Sequence, residues 1–256
     1  MSRFIPITDA RTSRGLRMVA LRGVPSPWTE AAKGIFHVKQ LDCQYAAAAK
    51  TDAADALVSW AGDSTVPVVA YEKEPLRTGW AEILILAERL APETALIPAD
   101  TADRVKLFGL AHEICGEMGF GWCLRLQMLK LSMGHGAEGA VGFAPQVAAS
   151  LAAKYGFIPQ HVAQARSRVL EILGFLDQTL GERRYLIGDS LTAADIYWAT
   201  FANLLTPLPE ELLPAHPTIR AIYSGAEPDL VEAMTPRLRE HQTYIYQRYL
   251  ELPVPL

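Results

Sequence analysis

The sequence is poor in cysteine. Its three, Cys43, Cys115 and Cys123, are too few and too scattered for a disulfide framework or a Cys-x-x-Cys redox site, and they point to a reducing compartment. Basic charge is not in excess either. Twenty-four Lys and Arg against 28 Asp and Glu leave a net charge of −4 over 256 residues. Such a chain lacks the field that holds nucleic acid, so no nucleic-acid partner is expected. Nowhere does it approach the roughly 20 consecutive apolar residues of a membrane span. The opening MSRFIPITDARTSRG has charge where a secretory leader needs an apolar core. The six histidines, His37, His112, His135, His161, His216 and His241, show no paired ligand spacing, so no metal is expected. Gly23 to Ser26 is no phosphate loop. What remains is 50% hydrophobic and 20% charged, the composition of a soluble globular protein, expected in the cytoplasm.

Along the chain, residues 1–16 are polar and punctuated and read as an N-terminal arm without a fold of its own. Arg17–Arg22 is a short apolar strand, and Gly23-Val24-Pro25-Ser26-Pro27 turns into a helix beginning at Pro27. A second strand covers Cys43–Ala47, and Asp55–Ala61 supplies one or two helical turns. A third strand runs from Ser64 to Tyr71. It is followed by a turn over residues 72–75, a short return strand over Leu76–Thr78 and a helix over Gly79–Leu90. Residues 17–91 thus form an α/β domain.

Residues 92–101, with two prolines, are a linker. From 102 to 256 no strand pattern appears. Asp103–Leu131 is a helix bent at its glycines, and residues 132–144 are a glycine-rich loop expected to be mobile. Gln146–Tyr155 is helical, and Pro159–Leu180 carries one continuous apolar stripe. A helix starts near Thr192, a shorter one follows Pro217, and the last spans Asp229–Leu250 with an interruption at Pro236. The fold class is an α/β domain followed by an all-α domain.

Local chemistry gives several motifs a meaning of their own. Thr192 and Asp195 are spaced as a capping pair, with Leu191 and Ile196 as a hydrophobic staple, a structural role. Ser26 before Pro27 is a good helix start. Val66-Pro67 enters a strand, where a trans bond at a sheet edge is the ordinary arrangement. Cys115 and Cys123 fall on a helix as small packing residues. Tyr244, Tyr246 and Tyr249 suit terminal helix packing, and Arg237, Arg239 and Arg248 a solvated face.

Three of these motifs stand together at matching spacing: Ser26-Pro27-Trp28, Val66-Pro67, and Leu186-Ile187-Gly188-Asp189-Ser190-Leu191-Thr192-Ala193-Ala194-Asp195. In this the chain resembles the glutathione S-transferase superfamily over residues 17 to about 224. The resemblance implies a thioredoxin-like domain followed by a helical bundle, assembled as a homodimer. Its substrates would be glutathione and a small hydrophobic electrophile, in a detoxifying reaction. It implies a cis bond at Val66-Pro67, with the Val66 backbone pairing with the tripeptide as an added strand. Ser26 then carries the chemistry. At a helix N-terminus its hydroxyl can hold glutathione's sulfur as a thiolate, which attacks an electrophilic carbon. A serine rather than a cysteine there implies conjugation or isomerisation instead of thiol–disulfide reduction.

By the same resemblance Thr78 grips the glutamyl carboxylate, and Lys50 faces the glycyl end. Two residues depart from the pattern. Arg77 stands where Glu or Gln is common, and a cation pairs with a carboxylate but does not favour the ligand's ammonium group. Thr65, before Val66, replaces the usual Lys or Gln. Trp28, Phe108, His112 and Trp122 are candidate walls for the electrophile. The alternatives are a non-catalytic binding or regulatory module on the same fold, and a glutathione-dependent isomerase or dehalogenase.

Overall fold

The first residues are not the structureless arm their polarity suggests. In the computed structural model, which describes residues 4–48, 52–135 and 141–256, Phe4–Ile5 forms strand β1 and Ile7–Thr12 helix α1. Ile7 and Ala10 bury themselves with Val19, Ala46, Leu57 and Val68. Two apolar residues three apart on one helical face suffice to seat a short helix that polarity alone argued against.

Strand β2 is Leu16–Ala20, buried at every position, as a continuous apolar run requires of a central strand. It ends two residues before the expected Arg22. Arg17 within it is also buried and hands its guanidinium to backbone carbonyls, Nε donating to Ala10 (3.0 Å) and Nη2 to Glu72 (3.3 Å). Helix α2 (Pro27–Val38), strand β3 (Cys43–Ala47) and helix α3 (Asp52–Ala61) follow. Strand β4 (Val68–Tyr71) starts later than expected, after Val66-Pro67. The anticipated return strand is reduced to one bridge, in which Val69 and Arg77 exchange backbone hydrogen bonds of 2.8 and 2.9 Å. Helix α4 is Trp80–Leu90. The sheet order is β1-β3-β2-β4, with β3 parallel to both β1 and β2, and β4 antiparallel to β2.

Beyond residue 100 the described residues are helical or irregular. The long bent helix resolves into α5 (Thr101–Cys115) and α6 (Phe120–Lys130). Between them a Cβ on Gly119 would come within 2.6 Å of the Glu113 carbonyl oxygen, so the break needs glycine. A single π turn covers Leu131–His135. The rest of the expected mobile loop falls partly on residues 136–140, outside the described residues. Helices α7 (Pro145–Tyr155) and α8 (Pro159–Leu180) follow. The α8 stripe Ala165, Val169, Ile172, Leu173, Leu176 and Leu180 is buried.

Helix α9 (Ala193–Ala202) is buried on all sides, the central pillar of the domain. Helices α10 (Pro217–Tyr223), α11 (Pro228–Ala233) and α12 (Pro236–Tyr249) complete it. At the head of α9, Asp195 Oδ2 accepts the backbone N–H of Thr192 (2.8 Å) and its hydroxyl (2.9 Å). Oδ1 accepts Leu186 N–H (2.8 Å) and faces His241 Nε2 at 3.1 Å. The core is continuous across both halves of the chain, joining β2, α2 and α4 to α5, α6, α8 and α9.

Candidate functional site

Sheet register decides which distant residues meet. Val19 pairs with Val68 in the antiparallel β2–β4 ladder, so the end of β2 and the entry to β4 lie at one end of the sheet. The chain leaving β2 reaches Ser26, and the chain entering β4 passes Val66-Pro67. The Val69–Arg77 bridge sets Thr78 beside that same entry. Val66, Pro67 and Thr78 therefore gather at one sheet end, the end from which the chain runs on from β2 to Ser26, and Pro67, Thr78 and Trp28 line one narrow crevice with Trp80, Ile83 and Tyr197.

Ser26 is the N-cap of α2 by position, with Pro27 opening the helix, but its side chain makes no capping bond. The helix start is carried instead by its backbone carbonyl, which accepts Glu30 N–H at 2.8 Å. A serine oxygen is thus left at the positive end of a helix with no protein partner among the described residues. The Val66–Pro67 bond is cis, and Val66 is half-buried.

Thr78 stands one residue outside helix α4, whose N-cap is Gly79, and is exposed. Arg77 is held by Glu74 (2.6 Å). Glu74 also pairs with Arg89, and hydrogen bonds from Arg89 and Arg77 hold its carboxyl below the usual range. Thr65 donates its hydroxyl to Asp63 Oδ2 at 2.7 Å. Lys50 lies outside the described residues.

The four expected electrophile walls are spread over three helices, α2, α5 and α6. Trp28 points into the domain boundary, donating Nε1–H to the Cys115 carbonyl at 2.9 Å and packing edge-on against Phe201 at 4.8 Å. Trp122 packs on Tyr155 (4.7 Å between centroids) and donates to its carbonyl. Phe108 reaches Trp80 at 6.3 Å. His112 is exposed on α5. Burial pushes the Cys115 thiol up and the Cys123 thiol to about 12, so neither is a nucleophile.

Sequence reading missed the pair that reaches the backbone beside Ser26 from the helical side. Tyr223 donates its hydroxyl to the Pro25 carbonyl (3.2 Å), and Arg125 Nη2 donates to the Tyr223 oxygen (3.1 Å). Arg125 was detectable as a charge set between Leu124 and Leu126 within an apolar stretch of α6. Tyr223, nearly a hundred residues on, gives no local signal.

Comparison with known proteins agrees with this architecture. Residues 159–241 match the family model described as glutathione S-transferase, C-terminal domain. The fold resembles a glutathione S-transferase from Methylobacterium radiotolerans solved with glutathione sulfonate (16% identity, 92% of each chain covered, TM-score 0.63). It also resembles a glutathione transferase family member from Pseudomonas fluorescens with two glutathione bound (14%, 94% of each chain, 0.66). A third is a glutathione transferase from Pseudomonas putida with glutathione disulfide bound (14%, 95% of this chain and 93% of that one, 0.65). No match is found among curated proteins. The chain has the fold of the glutathione S-transferase superfamily, a thioredoxin-like domain followed by a helical domain, and its residues 159–241 carry the superfamily's C-terminal domain.

Proposed function

We propose that the chain is a glutathione transferase that uses Ser26 to hold glutathione as a thiolate. The observation that carries this reading is the Ser26 hydroxyl, without a partner among the described residues, at the head of the helix that follows the sheet end where Val66, Pro67 and Thr78 gather. A free cysteine thiol titrates near 8.5 and is mostly protonated at neutral pH. A hydroxyl donor and a helix N-terminus both favour the anion. The thiol proton passes to solvent, the sulfur forms a bond to an electrophilic carbon, and the leaving group departs with its electron pair.

Val66 pairs with the tripeptide backbone, and Thr78 takes the glutamyl carboxylate. The acceptor lies towards the helical domain. The exposed apolar residues Val105 on α5 and Phe175 on α8 support a homodimer, and no helix among the described residues is long and apolar enough to cross a membrane. Ser26→Ala is expected to keep glutathione binding and lose most turnover of an aryl halide; unchanged turnover would overturn the assignment.

Two observations favour the alternative, a non-catalytic module. Arg77 is already committed to Glu74, and the crevice beside Pro67 is narrow. Titration calorimetry with glutathione separates the two, since such a module gives no saturable heat. An isomerase or dehalogenase would differ only in the acceptor.

A further inference from the structure

Arg125 is 6% exposed, and a guanidinium stays charged at any physiological pH. Among the described residues it has no carboxylate partner. Its contacts are the Tyr223 hydroxyl at 3.1 Å and the Met128 sulfur at 3.6 Å. The rings of Tyr223 and Phe143 lie 5.3 and 5.8 Å from its central carbon. The other buried cations are provided for: Lys33 bonds Glu30, Lys39 bonds Glu88, and Arg17 three backbone carbonyls. A buried cation surrounded by π faces and phenols is oriented but not neutralised.

Its surroundings reinforce this. Lys154 Nζ stands 5.6 Å from the Tyr155 ring. Lost hydration, together with the charge of Arg125, draws its ammonium below the usual lysine value against the pull of Asp63. Tyr155, over whose ring Lys154 lies, also neighbours Arg125 through its phenol and stands between the two cations. Arg125 is thus joined through Tyr223 to the Pro25 backbone beside Ser26, and Lys154 feels the charge of Asp63, the acceptor of Thr65 beside Val66.

We propose that Arg125, aided by Lys154, binds the carboxylate of the acceptor, so that the site selects electrophiles that are organic acids. This rests on the transferase reading for the identity of the acceptor. A planar two-pronged donor suits a carboxylate better than a point charge does. An uncharged acceptor of the same shape leaves the guanidinium buried without an anion, which makes the selection strong.

The test is calorimetric titration of the full chain with 4-nitrobenzoate and its uncharged analogue 4-nitrobenzamide. The acid is expected to bind at least about tenfold tighter. Arg125→Met should bring the two affinities together, Arg125→Lys should keep part of the preference, and Lys154→Met should reduce it severalfold. Glutathione affinity should stay within about threefold in all three. Equal affinities in the wild type, no binding of either probe, or a preference that survives Arg125→Met overturns the proposal. So does a parallel loss of glutathione affinity, which would assign the cation to glutathione's own carboxylates. Should Arg125→Met fail to fold by circular dichroism, Lys154→Met decides, since an undiminished preference there is equally fatal. If the acid preference holds but 4-chloro-3-nitrobenzoate is not conjugated, the carboxylate site stands and the transferase reading falls.

Discussion

The Tyr223 hydroxyl in α10 donates to the carbonyl of Pro25, the residue before Ser26, at 3.2 Å. Through this bond the far end of the helical domain fixes the backbone from which the candidate nucleophile activator projects. Tyr223→Phe removes that bond and leaves Arg125 Nη2 without its oxygen. A loss of about 1–3 kcal/mol is expected, read as a lowered denaturant midpoint with unchanged slope.

Asp195 is wholly buried and serves Leu186, Thr192 and His241 at once. Asp195→Asn turns an amide toward donors, and a buried network left half-satisfied costs about 3 kcal/mol or more. Thr192→Ala should cost only about 1 kcal/mol. Thermal melts of the two variants should rank in that order.

Glu30 gives the protein a pH dependence. Burial raises its carboxyl to about 7 against the opposing pull of Lys33. The folded state then holds a proton that the unfolded chain releases at lower pH. Stability is fully present below the unfolded value of 4.5 and declines as pH rises to about 7, by an amount on the order of 3 kcal/mol. Unfolding free energies between pH 4 and 8 should show that decline in the wild type and lack it in Glu30→Gln.

Packing between the halves can be tested at Gly121. A Cβ there would meet Phe201 at 2.4 Å and Trp28 at 3.3 Å. Gly121→Ala should therefore destabilise by about 1–3 kcal/mol through overpacking. It should also change the fluorescence of Trp28, whose indole is wedged at that contact.

Arg77 supplies a test on the binding side. Its guanidinium is tied to Glu74, yet its charge remains unfavourable to a nearby ammonium group. Arg77→Gln is expected to tighten glutathione binding severalfold by calorimetry, with little change in the melting temperature.

Periodicity and punctuation made much of the molecule legible. The stripe of α8, the glycines between α5 and α6, and the Thr192–Asp195 spacing each write a local structure into a local pattern, because helix faces and caps depend on residues three or four apart. Ser26 stood out locally only as a helix start, and Val66-Pro67 drew attention through the family resemblance. Where the decision was not local, the pattern misled. Residues 4–12 fold because β3 and the buried face around Leu57 are present to receive them. Ser26 does not cap its helix with its side chain, and Trp28 both donates across the domain boundary and lines the crevice beside Pro67.

The amino-acid order alone determined that an α/β unit precedes a helical one and where the main helices run. Tertiary structure alone decided that Arg125 and Tyr223 would reach the backbone beside Ser26. Those three residues share no period or motif, and only the packing of α6 and α10 against the turn after β2 brings them together.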